Sequence, residues 1–159
     1  MVTLTSRILT IGLALYSFLQ VRAITPQNVP HAPAGIAAQV LFAVQLLTGI
    51  LFSLIPYFPE SVHFGSHRLA DFSREQLERI QPLLLEMLAL MGVFFALYFA
   101  VNIHLLIRQA LSSSPRDAAH AIVAIMPWLT GGLVVSETAI IFCYLRRFDA
   151  ASNSKTTDN

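Results

Sequence analysis

Charge is what this chain lacks first. Only 12% of its 159 residues are Asp, Glu, Lys or Arg, against roughly 25% in an ordinary soluble domain. The formal net charge is +1, which leaves no electrostatic footprint for nucleic acid. Cysteine is nearly absent too: Cys143 is the single one, so no internal disulfide forms. There is no P-loop, no Rossmann fingerprint and no nucleophile–base pattern. Neither His104 nor His120 sits in an HxxxH, HExxH or Glu-x-x-His arrangement, so no metal site is expected from them.

What is present is apolar length. Hydrophobic residues make up 55% of the chain, gathered into four runs at about 4–21, 35–57, 82–107 and 118–145. Each of the last three is long enough to cross a hydrocarbon core of ~30 Å at ~1.5 Å per helical residue. The expected fold is an all-α integral membrane bundle of four transmembrane helices, a single domain over residues 1–148. A polar, disordered tail is expected over 149–159.

The first run is the shortest, flanked by Arg7 and Arg22. It reads either as a retained span with arginines at both ends or as a cleaved signal peptide over residues 1–23, with Val21-Arg22-Ala23 as the cleavage signal. Prolines punctuate the connection from Thr25 to Ala34, and Pro56 and Pro59 close the second run. Ser73 followed by Gln76 fits a capping box, predicting a short amphipathic helix before the third span. Pro82 stands where a new helix begins or a continuous one kinks. Pro127 predicts a kink in the fourth run, and Gly131, Gly132 and Ser136 form a small-residue patch suited to close helix approach.

Positive charges orient the spans. Arg7, Arg68, Arg74, Arg79, Arg146, Arg147 and Lys155 fall on one side, against Arg22, Arg108 and Arg116 on the other. This predicts both termini in the cytoplasm.

Chemistry, if present, resides in the polar residues within the runs. Intramembrane ionisable groups are costly and mark function by default. Glu86 and Glu137 fall in the same half of the bilayer; facing each other, they would share a proton. The alternative has Glu86 reaching the headgroups and Glu137 bonded to a neighbouring helix. His104 shares a helical face with Glu86, completed by Leu90, Val93, Leu97 and Val101, while Asn102 points nearly opposite. Asn102 and His104 are expected near Gln20, Gln39 and His120. A haem between His104 and His120 is conceivable, although histidines at headgroup level are the simpler expectation. No cofactor is therefore predicted. His63 and His67, four apart around Gly65, read as a loop.

The stretch SVHFGSHRLADFS resembles the short motif of the DUF1648 group of small membrane proteins, which includes the SdpI-type bacteriocin immunity proteins. Pro59, Val62, His63, Phe64, Ala70, Asp71 and Ser73 carry the resemblance. Arg68-Leu69 replaces the group's usual glycine before Ala-Asp, and the proline-to-histidine spacing is short. The resemblance covers about fifteen of the chain's residues, implies a multi-span bundle without known chemistry, and transfers no catalytic residue.

Two functions emerge as expectations. One is a protein that acts by binding, as an immunity-like factor or an accessory subunit, with the lipid bilayer and another membrane subunit or a second copy as partners. The other is a membrane enzyme or proton-coupled carrier for a lipophilic substrate, with Glu86, Glu137 and His104 as its candidate residues.

Overall fold

The computed structural model describes residues 2–24, 33–55, 63–64, 67–68, 73–112 and 114–153. Four helices account for nearly all of them: α1 (Val2–Ile24), α2 (Pro33–Leu54), α3 (Arg74–Leu111) and α4 (Pro115–Asn153). All four are long and apolar enough to cross a membrane. Between α2 and α3, His63–Phe64 pairs antiparallel with His67–Arg68, so these two histidines lie on a two-residue ladder rather than a helical face. The remainder of the Pro59–Ser73 motif, apart from the Ser73 cap, lies outside the described residues.

The arrangement is radial. Helix α3 is the hub against which α1, α2 and α4 each pack along their length, while α1 and α2 touch over a shorter stretch. A hub must be apolar on most sides and tolerate close approach. Its middle meets this with Gly92, Ala96 and Ala100, all buried.

The capping box forms as the sequence predicts. Ser73 Oγ accepts from the Gln76 backbone N–H, and Gln76 Oε1 accepts from the Ser73 N–H at 2.9 Å. The expected break at Pro82 is corrected: the amphipathic segment and the third span are one helix running through that proline. Proline removes a single intrahelical hydrogen bond there. Ile80 and Leu84, on either side of it, are buried in one cluster with Tyr144 and Phe148 of α4, which holds the helix together across the defect. Helix α4 likewise continues through Pro127. Beyond Arg147 it runs on to Asn153, so residues 149–153 are helical rather than part of a disordered tail. Phe148, buried against α3, accounts for that extension. Residues 154–159 lie outside the described set.

Prolines also start helices. Pro33 opens α2 and Pro115 opens α4, positions where the missing N–H costs nothing.

Two clusters anchor the hub at opposite ends. Toward its C-terminus, Phe99, Ile103 and Ile107 pack with Ala38 of α2, joined by Val21 of α1 and by Leu41 and Phe42 of α2. Toward its N-terminus, Ile80, Leu84, Met87 and Leu88 pack with Tyr144 and Phe148 of α4.

Candidate functional site

Polar side chains tie each outer helix to the hub. Tyr16 of α1 hydrogen-bonds His104 Nδ1 at 2.9 Å, with the two rings stacked. Gln45 of α2, buried, donates through Nε2 to the Ala96 carbonyl at 3.3 Å. On α4, Thr130 Oγ1 lies 3.3 Å from the Tyr98 hydroxyl, and the Tyr144 hydroxyl donates to Glu86 Oε2 at 3.3 Å. Such bonds between spanning helices are worth about 0.6 kcal/mol on average. Tyr16, Gln45 and Tyr144 thus matter as much as the residues singled out from the sequence. Gln45 is visible in the sequence as a polar break in the second run, whereas nothing local marks the tyrosines.

The two α3–α4 bonds fix an antiparallel register, and that register separates the carboxylates. Glu86 lies level with Tyr144, whereas Glu137 falls opposite Gly92, about six residues or ~9 Å further along α3. Glu137 is buried, with 8% of its surface exposed, and neither carboxylate oxygen has a hydrogen-bond partner among the described residues. The two carboxyl groups therefore share no hydrogen bond. Helical counting gives their depth but not this offset.

Glu86 and His104 do share a face of α3, and it is the most open one. Leu97, midway along it, is 46% exposed. Glu86 is reached from α4 and His104 from α1, each by a tyrosine at the edge of this seam. Asn102, pointing away, is buried and donates to the Tyr98 carbonyl of its own helix at 2.7 Å. Gln39 is exposed on α2. His120 is exposed on α4, and His104 Nδ1 is engaged by Tyr16. Among the described residues no group of three or more His, Cys, Asp or Glu converges on a point.

The glycine patch on α4 faces away from the other helices among the described residues. Gly131 and Gly132 are exposed, with nothing within 4 Å of a Cβ built at either. Ser136 donates to the Gly132 carbonyl within the same helix. The close-packing glycine is Gly92 instead, where a Cβ would meet Phe52 and Thr10 at 3.9 Å.

A cleft lies where α1 and α2 diverge over α3. It has two contiguous parts, of about 330 and 340 Å³, both walled by Thr10, Gly49, Phe52 and Gly92. Arg7 stands at one end and Gln45 and Phe99 at the other. Beyond that inner end α1 and α2 close together, with the Phe18 and Phe42 rings 6.0 Å apart. Neither Glu86 nor Glu137 lines the cleft.

No family model, no curated protein and no solved structure matches the chain.

Proposed function

We propose that this chain is a multi-pass integral membrane protein, with both termini cytoplasmic, that acts by binding another membrane component, as an immunity-like factor or an accessory subunit. The observation that carries this reading is the outer surface of α4. That helix leans on α3 along one stripe (Ile122, Met126, Leu129, Leu133, Glu137, Ile140, Tyr144, Phe148). Its other faces present Val123, Trp128, Val135 and Phe142 outward, with Trp128 81% exposed, around the open Gly131–Gly132 surface. Lipid covers an apolar face, but glycines there permit the close backbone approach of a second helix.

Two belts of charge support the spanning placement. Arg7 walls the cleft beside Leu85 and Leu88, and the α3–α4 register sets Arg146 and Arg147 near Pro82, so these residues cluster around the level of Glu86. Arg22 follows Val21, which packs into the Ile107 cluster, and so stands near Arg108. From Glu86 to Arg108 the hub rises about 33 Å, close to the ~30 Å of a bilayer core. The positive-charge count orients the Glu86 level toward the cytoplasm.

Gly132→Leu tests the binding reading, because nothing in the chain opposes a side chain there. Gently solubilised wild-type protein is expected to run as an assembly larger than its own 17.5 kDa, and Gly132→Leu to run as a monomer of unchanged helicity. Monomers in both cases would overturn it.

Glu137 supports the competing reading, a proton-coupled carrier or membrane enzyme for a lipophilic substrate. An ionisable residue within a membrane span is costly and marks function by default, and Glu137 is buried with neither carboxylate oxygen hydrogen-bonded among the described residues. Glu137→Gln separates the two. Retained association with lost transport or turnover favours the carrier or enzyme.

A further inference from the structure

The cleft between α1 and α2 is a blind, one-ended groove with a cation at its mouth. Its walls carry hydroxyl groups, yet they present hydrocarbon. Thr10 donates to the Ser6 carbonyl, Thr48 to Val44 and Ser53 to Gly49, each within its own helix. The groove's inner end is crossed by Gln45, which bridges α2 to the Ala96 carbonyl, and sealed beyond by Phe18 against Phe42. A helix running the length of the bundle does not fit a groove closed at one end. A flexible chain with one polar terminus does.

The mouth selects the polar terminus. Arg7 is exposed there and has no carboxylate partner among the described residues. It stands at the level of Glu86, which the two charge belts place at one membrane surface. Either part of the groove falls at the low end of the ~300–1,000 Å³ range of small-molecule sites.

We infer that this groove holds one acyl chain of an anionic phospholipid, with the phosphate of its headgroup on Arg7. The closed inner end disfavours a second helix, and Arg7 favours a headgroup of net negative charge over a zwitterionic one, whose phosphate is the same but whose ammonium adds a like charge beside the guanidinium. A guanidinium matches a phosphate in geometry as well as in charge. The inference rests on the membrane-spanning reading and is independent of what docks on α4.

The test uses the full chain in mild detergent, titrated with phosphatidylglycerol or phosphatidylcholine and read by native mass spectrometry. Wild type is expected to bind one phosphatidylglycerol about fivefold more tightly than phosphatidylcholine, the preference one interfacial cation supplies. Arg7→Gln should erase the preference. Gly49→Leu should remove the bound lipid altogether, because Gly49 lines both parts of the groove and nothing lies within 4 Å of its Cβ. Ala139→Leu, at an exposed α4 position outside the groove lining, should bind as wild type does, with circular dichroism confirming that both leucine variants stay folded. Equal binding of the two lipids by wild type, or lipid retained by folded Gly49→Leu, would overturn the inference. Failure to sediment with alkali-washed membranes would instead remove the spanning reading beneath it.

Discussion

The two ends of α3 are built by different means. At its C-terminal end three helices meet around Ala38 and Ile103, both with no exposed surface, and the small alanine lets α2 approach closely. At its N-terminal end the buried side chains are large and come from α3 and α4, Ile80, Met87, Tyr144 and Phe148, around the bond from Tyr144 to Glu86, with Phe52 and Ile55 at the end of α2 packed against them. Between them the packing thins, with the cleft facing α1 and α2 and unpartnered Glu137 on α4 at the level of Gly92. A hub helix thus holds firmly at its ends and leaves room at its centre. Both candidate functions draw on that centre or on the helix beside it.

Matched substitutions sharpen the contrast. The largest effect is expected at Ile103, where truncation to alanine opens a void among three helices. It should cost about 3 kcal/mol, within the range for buried Ile→Ala, measured as unfolding in detergent. Ile80→Ala, in the cluster whose buried members come from α3 and α4 alone, should cost less because the partly buried Phe52 and Ile55 can relax into the void. An equal or larger loss at Ile80 would break the comparison.

The tyrosine bonds come next. Tyr144→Phe removes the donor to Glu86 and leaves a half-buried carboxylate without it, an expected loss of about 1–3 kcal/mol. Tyr16→Phe frees a more exposed pair and should cost about 0.5–1 kcal/mol. The same detergent unfolding assay ranks them, and a reversed order would show that α1 is held more firmly than α4. The most local effect belongs to the cap. Ser73→Ala should cost about 1 kcal/mol, confined to the first turn of α3 and visible as faster amide exchange there. The exposed Arg74–Glu78 pair at 3.6 Å adds little to that turn.

How much of this is legible in the sequence depends on the kind of information. Length and apolarity give the four helices, and the Ser73–Gln76 spacing gives the start of α3, because both are local. Prolines mislead at Pro82, since tertiary packing of Ile80 and Leu84 outweighs one missing hydrogen bond. Glycines alone do not tell which partner they meet. Gly92 and Gly132 sit in similar apolar surroundings, yet the first faces two helices and the second faces away from all of them. Azimuth around a helix that is apolar on every side leaves no periodic trace in the sequence. The same gap hides the pairing of His104 with Tyr16, whereas the axial offset of Glu86 from Glu137 follows from the α3–α4 register.

The most direct test asks whether α4 crosses the membrane from the Arg108 level back to the Glu86 level. Single cysteines at Leu111 and Lys155, in a Cys143→Ser background, would be labelled in intact cells with a membrane-impermeant thiol reagent. The account predicts that Leu111→Cys labels in intact cells and that Lys155→Cys labels only after permeabilisation. Labelling of both from the same side would contradict the four-span architecture and every functional proposal built on it.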